Sequence, residues 1–360
     1  MCDFSEYGTP SPEWLALEAT LPPQPSVPLE ERVRTTNAVR EAASAAAMKP
    51  LQPWVKTQDH TITTRDGYPL EARTYRPSPE TIPSSPETER LPVYIHLHGG
   101  GFLFGTLSSE DAACARIAIN ARIVVLNVNY RHTPEWVYPT AWNDVEDAFA
   151  WLHENIDALR GDKDKVVVGG ISAGAYLGAS LALGKHLGRS TQPKVDELPP
   201  IKGLVLTIPA LVNLNCYGPV MAQLKSPEVS SWETCKDAPI LPRGVCEFFM
   251  GLLKVQGFDE GDVRMNPGLA TAGQVKGLPP TVFGVAGFDP LRDEGLLFAK
   301  RLAEAGVPTD VHVFKGLPHG FRRYGEQLSE CQRWDRIVEN GIVWALSGPD
   351  ATGVLEIKTE

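Results

Sequence analysis

Ser172 stands at the centre of Gly170-Ile171-Ser172-Ala173-Gly174, directly after the β-branched run Val166-Val167-Val168 and before a stretch of helix-forming residues. A strand that turns sharply into a helix at G-x-S-x-G holds its serine in strained dihedrals and lifts the hydroxyl clear of the sheet. Small neighbours, here Gly170 and Gly174, leave room for that turn. The helix N-terminus beside it favours a developing negative charge. A serine hydroxyl is a poor nucleophile until a base accepts its proton, so a histidine and an orienting acid are to be sought elsewhere in the chain.

Eight histidines are available. His96, His98 and His312 sit in or beside strand-like runs, and His60, His153 and His186 fall in exposed or helical segments. His319 differs, because Gly316-Leu317-Pro318-His319-Gly320-Phe321 follows the last strand-like run. Loops beyond the carboxyl ends of strands are where doubly wound sheets place their sites. The acid is Asp289 or Asp293. Asp289 follows the run 282–286 and its Gly287-Phe288 tail, so it emerges at the sheet's carboxyl edge, with Pro290 suited to a first helical position and Asp289 to the N-cap. Asp293 would sit one turn inside that helix, farther from His319, where it supports the loop. Asp289 is therefore expected to hold the imidazole tautomer and stabilise the imidazolium.

His98-Gly99-Gly100-Gly101-Phe102 follows another strand-like run, 93–97. Three consecutive glycines cost backbone entropy and pack nothing. Their use is to bring backbone amides close to a ligand, where they can donate to a carbonyl oxygen as it becomes an oxyanion. Ser172, His319 and Asp289 with such a loop make a nucleophilic acyl-transfer site. His98 precedes the loop and is assigned to its architecture, the imidazole bonding backbone groups.

The elements that must position these residues follow from the pattern of the chain. Short apolar runs at 93–97, 123–128, 166–168, 204–208, 282–286 and 311–314 are rich in β-branched residues, as expected for strands buried on both faces. Helices are predicted between them over 112–120, 142–154, 173–186 and 296–305. The alternation implies an α/β fold with a mostly parallel, doubly wound sheet. Asp66-Gly67, between 61–63 and 70–75, predicts a hairpin ahead of it. The prolines of 77–90 place a surface loop there. Residues 1–52 read as an N-terminal segment, extended through prolines 10, 12, 22, 23, 25 and 28 and helical over 29–47. Residues 210–268 interrupt the alternation; Val245, Phe248, Phe249, Leu252 and Leu253 fit an amphipathic helix. That insertion is expected to form a helical cap over the carboxyl edge, joined by the N-terminal segment. The catalytic core then comprises 53–209 and 269–350, with a C-terminal tail at 351–360.

Composition narrows the function. The net charge of -10 offers no basic surplus for nucleic acid and disfavours an anionic membrane surface. Six scattered cysteines without a C-x-x-C pair give neither a zinc pattern nor a disulfide framework. The N-terminus lacks the basic and apolar regions of a signal peptide, and no run reaches transmembrane length. A reducing, cytoplasmic setting is expected.

Together these motifs resemble the hormone-sensitive-lipase-like group of α/β-hydrolases, microbial and fungal carboxylesterases that carry H-G-G-G upstream of G-D-S-A-G-G. The resemblance covers about 54–344. Tyr130-Arg131-His132-Thr133-Pro134-Glu135, with Pro139 and Asp144, is similar to the family's Y-R-L-A-P-E segment. Asp289-Pro290-Leu291-Arg292-Asp293-Glu294-Gly295 and His319-Gly320-Phe321 reproduce two further motifs. Ile171 replaces the family's usual Asp, Ala175 a Gly, and His132 and Thr133 a Leu and an Ala. These departures spare the triad and bear on substrate range. The resemblance implies Ser172, Asp289 and His319 as catalytic residues, with an oxyanion hole from Gly99, Gly100, Gly101 and Ala173. In it the Gly100, Gly101 and Ala173 amides donate while Gly99 shapes the turn. It implies a small-molecule ester with a short acyl chain and no metal or organic cofactor, and leaves a homodimer open. Related proteins on this scaffold are dehydratases, or hormone receptors that have lost a triad member. The intact triad counts against a receptor, whereas a lyase or acyltransferase would use the same oxyanion hole.

Overall fold

The β-branched runs alternate their side chains between two helical layers, and this sets the architecture. Val166 and Val168 join one apolar core, and Val167 between them joins the other. In a computed structural model that describes residues 1–22, 27–79 and 89–359, these runs form one nine-stranded sheet. Its strands are β1 (Val55–Thr63), β2 (Pro69–Pro77), β3 (Leu91–Leu97), β4 (Val124–Val128), β5 (Gly161–Ile171), β6 (Gly203–Thr207), β7 (Thr281–Phe288), β8 (Thr309–Pro318) and β9 (Ile357–Lys358). Their order is β1-β2-β4-β3-β5-β6-β7-β8-β9. The predicted hairpin β1–β2 is antiparallel, as is the β2–β4 pair, and every pairing from β4 to β9 is parallel.

Five helices precede or flank the first half of the sheet: α1 (Pro12–Glu18), α2 (Leu29–Met48), α3 (Asp111–Ala121), α4 (Thr140–Asn155) and α5 (Ala173–His186). α4, α5 and the helix Arg292–Glu304 pack on one face with Val93, Ile95, Leu204 and Val285. α3 and the helix Glu330–Leu346 cover the other, against Tyr94, Val125, Val205 and Phe314. That last helix was not anticipated from the sequence. Between β6 and β7, residues 210–268 contain short helical turns and the helix Arg243–Leu252, with no strand among the described residues. Among the described residues no helix is long and apolar enough to cross a membrane.

Three expectations change. The first prolines do not keep the chain extended: Pro12 opens α1, because its missing N–H is not needed at a first helical position. Ser11 caps that helix by accepting from the Trp14 amide at 3.1 Å, and Trp14 is fully buried. The tail 351–360 is not merely an extension, since β9 pairs with Val311 and His312 of β8. Pro77 ends β2 instead of opening a loop. Residues 23–26 and 80–88, where part of the remaining proline-rich readings falls, lie outside the described residues.

Candidate active site

β5 delivers the chain to Ser172, and α5 begins at the next residue. Ser172 has φ 55° and ψ -114°, a conformation that costs a non-glycine residue energy and that the surroundings must enforce. They do so on both sides: Ser172 N–H donates to the Thr207 carbonyl at 2.9 Å, and its carbonyl accepts from Tyr176 N–H at 3.0 Å. Glycine is obligatory around the turn. A Cβ on Gly170 would lie 2.4 Å from the Leu97 carbonyl oxygen, and one on Gly174 only 2.0 Å from it.

β7 and β8 end beside this turn and bring Asp289 and His319 to it. His319 Nε2 is 2.9 Å from Ser172 Oγ, and Nδ1 is 2.7 Å from Asp289 Oδ2. The carboxylate can only accept, so the proton is assigned to Nδ1, and Nε2 faces the serine hydroxyl as an acceptor. Asp289 Oδ1 also accepts from Leu291 N–H at 2.9 Å. The helix itself starts at Arg292 with Leu291 at the cap, so Asp289 closes a turn ahead of the helix and is not its N-cap. The turn leaves Oδ2 free for the imidazole. Asp293 points elsewhere, accepting from Ser231 N–H and from Arg292 Nε.

The H-G-G-G loop lies on the other side of Ser172. Gly100 and Gly101 have φ of 144° and 63°. A Cβ on Gly100 would meet the Phe104 carbonyl oxygen at 2.0 Å, and one on Gly101 the Phe249 ring at 2.5 Å. Among the described residues nothing accepts from the Gly100, Gly101 or Ala173 amides. Gly101 and Ala173 line a cleft together with Ser172. Gly99 is close-packed too: a Cβ there would lie 2.9 Å from the Ile171 carbonyl oxygen.

His98 is fully buried and has the architectural place expected of it. It stacks on Tyr130 with centroids 4.4 Å apart, and its Nδ1 lies 3.2 Å from the Gly99 carbonyl oxygen. Burial first, then the neighbouring His132 and Arg40, hold its pKa well below the usual histidine range, so the ring is neutral. The third motif supports the same loop. Tyr130 OH donates to the His98 carbonyl at 2.7 Å, and Thr133 donates to the Phe102 carbonyl through both N–H (2.8 Å) and Oγ1 (3.0 Å). Thr133, a departure from the family pattern, thus adds a bond to the loop. Arg131 fixes the motif by pairing with Asp144 at 2.6 Å and Asp66 at 2.7 Å.

Sequence reasoning missed the contribution of α2. Asn37 accepts from Gly105 N–H at 2.9 Å, Arg40 donates to the Gly99 carbonyl, and Glu41 accepts from Thr106 Oγ1 at 2.7 Å. Ser44 accepts from Ala112 N–H at 3.1 Å. Spacings of three, four and seven residues put all four on one helix face, a signal visible in the sequence as a polar stripe.

A cleft with about 390 Å³ of free space, partly open to solvent, reaches Ser172 and Ala173. Its walls are Gly101, Phe102, Ala210, Val212, Leu214, Leu241, Cys246, Phe249, Met250 and Leu291. Apart from the serine hydroxyl and backbone amides, this lining offers only apolar side chains and one thiol. Cys246 is buried, and burial pushes its pKa above the ordinary thiol range, so it lines the cleft as a neutral thiol.

Comparison with known proteins shows the family. A family model described as the alpha/beta hydrolase fold matches residues 94–323. Esterase LipI of Mycobacterium tuberculosis is 31% identical over 289 residues, 80% of this chain and 81% of its own. The versiconal hemiacetal acetate esterase of Dothistroma septosporum is 30% identical over 306 residues, covering 85% of this chain and 87% of its own. Among solved structures, a vibralactone cyclase superposes with a TM-score of 0.81 at 28% identity, covering 95% of this chain and 96% of that one. The chain belongs to the α/β-hydrolases, as a carboxylesterase-type hydrolase of their hormone-sensitive-lipase-like family.

Proposed function

We propose that this carboxylic-ester hydrolase works through Ser172, His319 and Asp289 by way of an acyl-enzyme, on small esters with a short or compact acyl group. The observation that carries the reading is the unbroken hydrogen-bond relay from Asp289 Oδ2 through His319 to Ser172 Oγ. His319 takes the serine proton as Oγ attacks the ester carbonyl. The carbonyl oxygen gains negative charge and is held by the Gly100, Gly101 and Ala173 amides, with Gly99 shaping the loop. His319 then gives its proton to the departing alcohol, and a water that it deprotonates releases the acid. The reaction needs no metal or organic cofactor. The apolar walls of the cleft suit an uncharged acyl group.

Residues 210–268 and 1–52 act in this reading as a cap on a core of 53–209 and 269–350. Cys246, Phe249 and Met250 in the cleft wall support that division, as does the bonding of α2 to the glycine loop. A second reading, acyl transfer to an acceptor other than water, draws on the likeness to a vibralactone cyclase. The test is hydrolysis of short p-nitrophenyl esters by the wild type and by Ser172→Ala. Loss of turnover in Ser172→Ala is expected. Turnover persisting there would sink the triad, and a wild type that labels with a fluorophosphonate yet releases no acid would move the assignment to the second reading.

A further inference from the structure

The peptide unit between Gly99 and Gly100 has a particular weakness. Neither flanking residue has a Cβ, so rotation of this unit meets little steric resistance. Its N–H is one of the three proposed oxyanion donors, and a rotated unit would turn its carbonyl oxygen toward the developing charge instead. Something outside the loop must hold it. The Gly99 carbonyl accepts from both terminal nitrogens of Arg40, each at 3.2 Å, and faces His98 Nδ1, also at 3.2 Å. In a trans peptide the C=O and N–H point in opposite directions. Donors gathered on the Gly99 oxygen therefore aim the Gly100 N–H away from α2. A cation on the carbonyl also polarises the unit and strengthens its N–H as a donor.

Arg40 is itself held in place. Its Nη2 lies 2.7 Å from Glu110 Oε1, and Glu110 is buried, with His96 Nε2 3.4 Å from its other oxygen. Asn37 and Glu41 bond α2 to residues 105 and 106, farther along the loop, and leave the 99–100 unit to Arg40 and His98.

We infer that Arg40 is a positioning residue of the oxyanion hole, its guanidinium pinning the Gly99 carbonyl so that the Gly100 amide stays directed at the oxygen bound beside Ser172. The inference rests on the triad reading above, and it makes the N-terminal helix part of the catalytic apparatus. Arg40 touches neither substrate nor triad and acts only through this one peptide.

The test compares Arg40→Met and Arg40→Lys with the control Arg34→Ala, an exposed arginine of the same helix, on p-nitrophenyl acetate, and measures inhibition by a trifluoromethyl ketone, whose serine adduct carries an oxyanion. Outright removal of an oxyanion donor typically costs about 100- to 1,000-fold. Misdirecting one is expected to lower kcat by roughly 10- to 100-fold, with KM changing less than threefold. The inhibition constant should rise by the same factor as kcat falls. Arg40→Lys, which keeps the charge and a single donor, should recover part of both. Arg34→Ala should stay within threefold of wild type. An Arg40→Met enzyme with unchanged kcat, or an Arg34→Ala enzyme equally impaired, would overturn the inference. If Arg40→Met does not fold, Arg40→Lys decides the matter: wild-type kcat and inhibitor affinity in that variant count against the geometric clamp. Residual turnover in Ser172→Ala would instead defeat the triad reading, so the two failures are separable.

Discussion

Asp289→Asn tests the relay most sharply, because both carboxylate oxygens already have donors. Oδ2 faces His319 Nδ1 at 2.7 Å and Oδ1 accepts from Leu291 N–H at 2.9 Å, in a residue only 1% exposed. An asparagine has one accepting oxygen and one donating NH₂. If the oxygen faces His319, the NH₂ meets the Leu291 N–H, and a buried donor left without an acceptor costs about 1–3 kcal/mol. If the oxygen keeps Leu291, the NH₂ faces Nδ1 and the imidazole carries its proton on Nε2. The second arrangement leaves no donor facing a donor, so it wins. It also points an N–H at Ser172 Oγ, where an acceptor is needed. A wrong tautomer of this kind lowers kcat by about 10⁴, or roughly 5.4 kcal/mol of barrier. The assay is kcat and KM on p-nitrophenyl acetate at neutral pH, with a thermal melt beside it. A near-normal melting temperature with kcat down by four decades is expected. A folded Asp289→Asn enzyme retaining more than a tenth of wild-type kcat would refute the reasoning. Asp293→Asn, by contrast, should show its main effect in the melt, since its carboxylate bonds Ser231 and Arg292.

Two further outcomes follow from packing and burial. Gly101→Ala places a methyl 2.5 Å from the Phe249 ring at φ 63° and should cut kcat/KM by about 100-fold. Adding Phe249→Ala removes the clash but leaves the left-handed strain of about 1–2 kcal/mol, so a four-enzyme cycle should show partial recovery; none would mean that the ring is not what the methyl strikes. Glu294, 1% exposed, has its pKa pushed up to about 8, chiefly by burial, with Asp289 adding to the rise. An unfolded glutamate titrates near 4.3, so between that pH and about 8 the folded chain keeps a proton that the unfolded chain has lost, and stability falls as pH rises through the window. Glu294→Gln removes the titration, and the melting temperature of wild type minus variant should decline from pH 5 to pH 8.5; a flat or rising difference would contradict it.

The strands, and the three residues that meet in the hydrogen-bond relay at their ends, were legible because each depends on local chemistry. A β-branched run reports burial on both faces, and Ser172, Asp289 and His319 each follow such a run. The choice of Asp289 over Asp293 needed only the rule that sites lie beyond strand ends. What stayed hidden depends on contacts distant in sequence. Arg40 reads as one more charge on an exposed helix until Gly99, 59 residues away, is placed against it. α1 was obscured because a proline signals extended chain and a helix start equally well. β9 has two residues, too few for any periodicity to register.

One strand is bonded by segments far apart in the chain. β9 runs beside Val311 and His312 at the start of β8, while Ser11 N–H bonds the Gly316 carbonyl near its end. An outermost strand normally offers unpaired amides and carbonyls on which another chain can zip, the usual seed of aggregation. Here another chain could pair with Val311 and His312 of β8 only by first peeling away β9. Trimming the last ten residues should convert a guarded margin into an adhesive one.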